Sequence, residues 1–268
     1  MADLIYAGIG SRETPPHILQ KMRSIGYNLG LRGYTLRSGR AIGADQEFEA
    51  GCDQARGKKE IFVSRDATPE AIEIALKYHP NPEALKRKGQ YVVGLMGRNI
   101  QIVEGRNINN LAERINFAVC WTKDGRDSGG TGQAIRYCWD KGIKVYNLFN
   151  SQDVWDLKYA IWGELKLVEI DFYPDNLELL DRGFKTSTLR TNSQAAKIGL
   201  KEGERGFFRD FIVTCIGNKF CNEVGGKEHI WNCEGFEYTQ TKFPKFSSTI
   251  EFLENKRPLW VYSFERIA

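Results

Sequence analysis

Apolar positions along the first 150 residues alternate between two rhythms. Residues 4–7 form a short apolar run, and Ile18, Leu19, Met22, Ile25 and Leu29 follow at helical spacing until Gly33. Thr14-Pro15-Pro16 predicts the start of that helix, with Thr14 as its cap and a proline in its first turn. Residues 34–36 read as a second strand, 44–56 as a helix, 60–64 as a third strand, and 68–77 as a helix opened by Thr68-Pro69. Residues 116–121 are almost wholly apolar, which predicts a strand buried on both faces. A helix over 131–141 and a strand over 144–148 complete the series, while 79–114 shows no regular rhythm. Strand and helix alternating this often predict an α/β fold: a Rossmann-like parallel sheet with helices on both sides.

The rhythm changes near residue 150. A helix is expected over 152–165, with Val154, Leu157, Ile161 and Leu165 on one stripe. Beyond it the signals are strands and turns, with strands expected over 167–172, 206–216 and 259–264. The expected organisation is a Rossmann-like domain at 1–150, a connecting helix at 151–166 and a small β-rich domain at 167–268.

Composition narrows the classes. Apolar residues make up 41% and charged residues 27%, ordinary values for a globular chain. No run reaches the roughly 18 uncharged apolar residues of a membrane helix, and the N-terminus carries no secretory pattern. A cytoplasmic protein is therefore expected, with no membrane partner. The six cysteines include no C-x-x-C pair and read as reduced, half-buried residues. Cys215, Cys221, His229 and Cys233 fit no standard zinc-finger spacing, so no metal and no cofactor is expected. A net charge of +4 permits a polyanionic partner without requiring one.

The first candidate chemistry lies at three strand ends. Gly8-Ile9-Gly10-Ser11-Arg12 links a strand to a helix, and its glycines let a ligand approach the backbone near a helix N-terminus. Ser11 and Arg12 add a hydroxyl and a cation suited to phosphate oxygens. A tight turn that binds nothing would look the same if it stood alone. The pattern recurs, however, at Ser38-Gly39-Arg40-Ala41-Ile42-Gly43-Ala44-Asp45 and at Ser128-Gly129-Gly130-Thr131-Gly132. Parallel strands place all three turns at one carboxyl edge, where such sheets bind ligands. Asp45 and Glu49, four residues apart on one helix, are candidate catalytic carboxylates near a ribose. Arg98 and Asn99 are candidate phosphate or base contacts, or an ordinary surface pair.

These three motifs together resemble the SLOG superfamily, which includes DprA-like recombination mediators and LOG-type phosphoribohydrolases. The resemblance covers about residues 3–149 and looks most like the DprA-like proteins of bacteriophages. It implies single-stranded DNA binding in one branch and cleavage of a nucleotide N-glycosidic bond in the other. LOG-type enzymes carry a Pro-Gly-Gly-x-Gly-Thr loop; here Ser128 stands in place of the proline, and Gln133-Ala134 where acidic residues would follow.

The later region resembles an ASCH domain, a small β-barrel of the PUA-like group. The residues that carry this are Gly183-x-Lys185-x-x-Thr188-x-Arg190, Glu234-Gly235-Phe236 and the closing aromatic strand. Such domains are associated with RNA or modified-base recognition, and some act as amidohydrolases. The resemblance implies catalytic roles for Lys185, Thr188 and Glu234. A desolvated lysine able to activate a hydroxyl is consistent with this. Strand alternation places Lys185, Ser187 and Leu189 on one side, with Thr186, Thr188 and Arg190 on the other. Lys185, Arg190 and Trp231 are the candidate base, RNA or DNA contacts, and Phe236 and Tyr238 could stack a base or fill a core.

The function expected is binding of a nucleotide or nucleic acid, with hydrolysis of an N-glycosidic bond in a nucleotide or modified base. Two alternatives stand beside it: a non-catalytic DprA-like single-stranded DNA-binding protein, and a phage counter-defence protein that sequesters a signalling nucleotide. A homo-oligomer is compatible with each.

Overall fold

The computed structural model describes residues 4–108, 110–163, 165–172, 174–182, 185–234, 249, 254–256 and 258–266; the side chains of 227, 228, 231 and 232 fall outside that set. After Gly163 the chain divides into two compact units.

The first unit is built on five parallel strands: β1 (Ile5–Gly8), β2 (Thr35–Ser38), β3 (Lys59–Ile61), β4 (Phe117–Cys120) and β5 (Lys144–Asn147). Their order is β3-β2-β1-β4-β5, and Tyr6 of β1 stands opposite both Leu36 and Phe117. Side-chain alternation then splits the strands between two cores. Tyr6, Leu36, Phe117 and Val119 pack against α1 (Pro16–Leu31), α2 (Ala44–Gln54) and α7 (Ser151–Trp162). Ile5, Ala7, Ala118 and Cys120 pack against α3 (Pro69–Lys77), α5 (Gln90–Glu104) and α6 (Gly129–Asp140). A short α4 (Pro82–Arg87) precedes α5. All four residues of β4 are buried, as expected of a strand covered on both faces.

Two local expectations are corrected. The cap of α1 is Pro15, not Thr14. Thr14 is buried, and its hydroxyl donates to the main-chain oxygen of Ser11, closing the turn after β1. Thr68, by contrast, caps α3 by accepting from the Ala71 amide. The second correction is α5, a 15-residue helix inside the segment without a rhythm. Its buried face carries Asn99, Gln101 and Glu104 beside Ile100, Ile102 and Val103, so apolar spacing does not reveal it.

The second unit holds a mixed sheet of five strands in the order β6-β8-β9-β10-β7. These are β6 (Lys166–Leu167), β7 (Ser187–Arg190), β8 (Arg205–Phe208), β9 (Phe211–Lys219) and β10 (Leu259–Arg266), with α8 (Pro174–Asp181), α9 (Asn192–Ile198) and α10 (Gly226–Cys233) between them. The strand expected over 167–172 shortens to β6, although Val168 and Ile170 are buried. The strand expected over 206–216 is a hairpin, because Arg209 (φ 51°) and Asp210 form a two-residue turn inside the apolar run. Phe172, Phe208, Phe211 and Phe264 meet in its core.

Candidate functional site

The carboxyl ends of β2, β1 and β4 lie side by side, so the three glycine-rich turns share one edge of the sheet. They border a cleft of about 600 Å³, a size suited to a small ligand. Gly10, Ser11 and Arg12 come from the first turn, Asp45 from the second, and Gly129, Gly130 and Thr131 from the third. Arg98 and Asn99 enter from α5, which crosses beneath the third turn.

The cleft is lined by three cations, Arg12, Arg98 and Lys123, and by two carboxylates, Glu13 and Asp45. Arg12 is exposed and has no carboxylate within ion-pair distance among the described residues. Arg98 is far more buried, its side chain only 11% exposed; it donates to the main-chain oxygen of Gly39 and stands 3.7 Å from Asp45 Oδ2. Burial pulls the Arg98 pKa below the usual guanidinium value; Asp45 opposes that shift, and the positive charge of Arg12 adds to it. Arginine keeps its proton in proteins despite such shifts. The first turn of α6 supplies the third element. Its cap residue Ser128 donates its hydroxyl to Asp124 and leaves the helix uncapped by any side chain. Amides of that turn therefore carry no side-chain cap and border the cleft with the positive end of the helix dipole.

Several predicted residues at this edge are held by packing or by hydrogen bonds within the fold, including Gly10, which also borders the cleft. Gly8 and Gly10 are packing positions, since a Cβ at Gly8 would lie 2.6 Å from the Phe48 ring and one at Gly10 would lie 2.5 Å from Ala44 Cβ. Ser38 is fully buried and donates its hydroxyl to the Gly8 main-chain oxygen (2.6 Å), tying β2 to β1. Gly39 lies under the Arg98 guanidinium, and Gly132 packs against the main chain of Asp127. Gly43, at φ 94°, caps α2 in a conformation that favours glycine.

The cleft is lined by Asp45 but not by Glu49. Asp45 accepts from the amides of Gly39 and Ala41, both at 3.2 Å, and so clasps the second turn shut. Burial raises its pKa, while Arg98 and the amides pull it back down. Glu49 lies outside the cleft and pairs with Arg40 (3.2 Å) and Lys59 (3.7 Å). Arg40 is thereby engaged with Glu49 rather than with a phosphate position. Their shared helix face is real, but the helix presents only its first turn to the cleft. Sequence reading also passed over Leu95 and Met96, an apolar wall from α5, and Thr122 and Lys123, which follow β4 after Trp121. The position of Lys123 just past a strand's carboxyl end was the available signal.

In the second unit Lys185 and Glu234 form a buried ion pair at 2.5 Å, their side chains 3% and 6% exposed. The hydroxyl that completes the cluster is Ser187, whose Oγ donates to Glu234 Oε1 at 2.8 Å. Thr188 points to the other side of β7 and accepts from Arg190 Nη1. Of the expected trio, Lys185 and Glu234 meet and Ser187 joins them by hydrogen bond, while Thr188 bonds to Arg190 instead, in keeping with strand alternation. Arg190 also donates to the main-chain oxygens of Leu189 and Asp171 and stacks over Phe172. Trp231 lies on α10, but its side chain is outside the described set; Gly183, Gly235, Phe236 and Tyr238 are outside the described residues altogether.

Among the described residues no three His, Cys, Asp or Glu side chains gather in a way that could hold a metal ion. No described helix is long and apolar enough to cross a membrane.

No protein-family model matches the sequence, and no curated protein matches it. Two solved structures share similarity in fold. One is DNA processing protein A from Helicobacter pylori, described for its single-stranded DNA binding mode: 14% identity, TM-score 0.37, covering 68% of this chain and 74% of that one. The other is DNA processing protein A (DprA) from Streptococcus pneumoniae: 17% identity, TM-score 0.28, covering 57% of this chain and 61% of that one. The class defined by strand order and cleft position is a Rossmann-like α/β protein with a ligand cleft at the carboxyl edge of its sheet.

Proposed function

We propose that the first unit binds the phosphate of a nucleotide, free or within a nucleic-acid strand, in the cleft at the carboxyl edge. One observation carries this reading: Arg12, Arg98 and the uncapped first turn of α6 converge there, beside the carboxylates of Asp45, which pairs with Arg98, and Glu13. Charge-assisted bonds from such a cradle are the strong ones. Leu95 and Met96 offer an apolar wall for a sugar or base.

Binding is favoured over cleavage of an N-glycosidic bond. That reaction calls for a carboxylate turned toward the sugar. Asp45 instead holds two main-chain amides, Glu49 is paired outside the cleft, and Glu13, which also lines it, is an exposed, solvated side chain.

Calorimetric titration of the full chain with adenosine monophosphate and with a short oligothymidine tests the reading. Binding of either, falling with salt and lost in Arg12→Ala and Arg98→Ala, is the expected result. Binding that both variants retain in full rejects the cleft as the phosphate site. Release of free base from the monophosphate would restore the hydrolytic alternative.

A further inference from the structure

Next to the anion-attracting groups of the cleft stands a hydrogen-bond acceptor whose orientation is fixed from behind. Gln133 is buried on α6, and its Nε2 donates to the main-chain oxygen of Ala75 at 3.3 Å. A carbonyl only accepts, so the Gln133 amide is held with Oε1 turned away from Ala75 and toward α5. Asn99 Nδ2 lies 3.3 Å from that Oε1 and 3.3 Å from the main-chain oxygen of Gly130. Both neighbours are acceptors, so the nitrogen of Asn99 must face them and Oδ1 must face away. Asn99 is only 8% exposed, it lines the cleft, and its Oδ1 makes no hydrogen bond to any described residue. Two main-chain carbonyls, those of Ala75 and Gly130, thus lock a side-chain carbonyl into the site.

A fixed carbonyl oxygen repels phosphate and seeks an O–H or N–H donor. We propose that Asn99 determines specificity by accepting a hydrogen bond from a hydroxyl of the sugar that carries the bound phosphate. The assignment rests on the phosphate reading of the cleft. It selects the sugar for a geometric reason: Asn99 follows Arg98 in the chain and bonds to Gly130 in the first turn of α6, so its acceptor adjoins the anion position. In a nucleotide the donors nearest the phosphate are the sugar hydroxyls, and the N–H groups of the base lie a ring further away. Asn99 therefore does not contact the phosphate, and it reads whether a hydroxylated sugar is attached.

Titration of the full chain with inorganic phosphate, ribose 5-phosphate and adenosine monophosphate tests the assignment, using wild type, Asn99→Leu and the smaller Asn99→Ser. Wild type is expected to hold ribose 5-phosphate roughly 3- to 10-fold more tightly than phosphate, the contribution of one net hydrogen bond. Both variants should lose that preference, read as the ratio of the two affinities within each variant; whichever of the two folds decides the point. Equal weakening of both ligands would place Asn99 on the phosphate and overturn the assignment, as would a preference that survives both substitutions. A gain seen only with adenosine monophosphate would move the donor to the base and overturn it too. Phosphate binding without any gain from the sugar defeats this assignment alone. No binding of any of the three defeats the phosphate reading as well.

Discussion

The guanidinium of Arg98 lies across Gly39 so closely that no Cβ fits between them, and it donates to the main-chain oxygen of that glycine. The contact joins α5 to the turn after β2, two segments 59 residues apart.

Gly39→Ala should therefore displace Arg98 from the cleft. The backbone at Gly39 is outside the left-handed region, so alanine adds no dihedral strain there. Phosphate affinity should fall by about 10-fold or more, the loss of a hydrogen bond to a charged group. Calorimetry with inorganic phosphate measures the fall, and circular dichroism should show an unchanged fold.

Asp45 is expected to act on stability first. Asp45→Ala leaves the Gly39 and Ala41 amides without their acceptor and should cost about 1–3 kcal/mol in urea unfolding. The pH dependence has a definite sign. Burial raises the carboxyl pKa in the folded state, so the folded protein binds a proton there more readily than the unfolded chain. The contribution is fully present below the unfolded value of about 4, and it is lost as pH rises through the folded value. Relative to Asp45→Asn, which does not titrate, wild type should lose stability over that window and then level off. Unfolding curves at a series of pH values give the difference directly.

The Lys185–Glu234 pair should behave as a buried ion pair whose halves depend on each other. Glu234→Ala leaves a buried ammonium without its partner and should destabilise the second unit by about 3–5 kcal/mol. Adding Lys185→Met should recover much of that loss, because the second change removes the stranded charge. Thermal unfolding of the single and double variants checks both steps. A Thr188→Val change, by contrast, should leave the pair intact, since Thr188 bonds to Arg190 and not to Glu234.

Thiol reactivity should separate one cysteine from five. Cys52, Cys120, Cys138, Cys215 and Cys221 are buried, and Cys233 is partly exposed. Burial pushes the Cys138 thiol up to about 12 and raises that of Cys120 as well. Only the thiolate attacks a disulfide reagent. One fast equivalent should react in the native protein, at Cys233, and the remainder only on unfolding. Peptide mapping after brief labelling identifies the residue.

Much of the first unit was legible because its signals are local. The apolar run through Phe117 and Cys120 needs no partner to be read as a doubly buried strand, and Thr68-Pro69 opens its helix as a cap should. Thr14-Pro15 carries the same signal and fails, because the helix starts one residue later with Pro15 in the cap position, and the Thr14 hydroxyl closes the preceding turn by donating to Ser11. Helix α5 was hidden for a related reason: its buried face carries Gln101 and Glu104, and Glu104 is satisfied by Arg114 and Tyr137 from elsewhere in the chain. Polar residues can be buried only when distant partners pair with them, and those partners are invisible to periodicity.

The sequence by itself determined the alternating elements, the parallel order they imply, and the sharing of one sheet edge by three glycine turns. It determined these because side-chain period and strand–helix alternation act over a few residues. Tertiary structure alone decided which of the edge residues face a ligand. It placed Arg98 and Asn99 in the cleft, turned Asp45 into a clasp, paired Glu49 with Arg40, and chose Ser187 over Thr188. Each of these outcomes depends on where a polar side chain finds its partner across many residues, and only the folded packing fixes that distance.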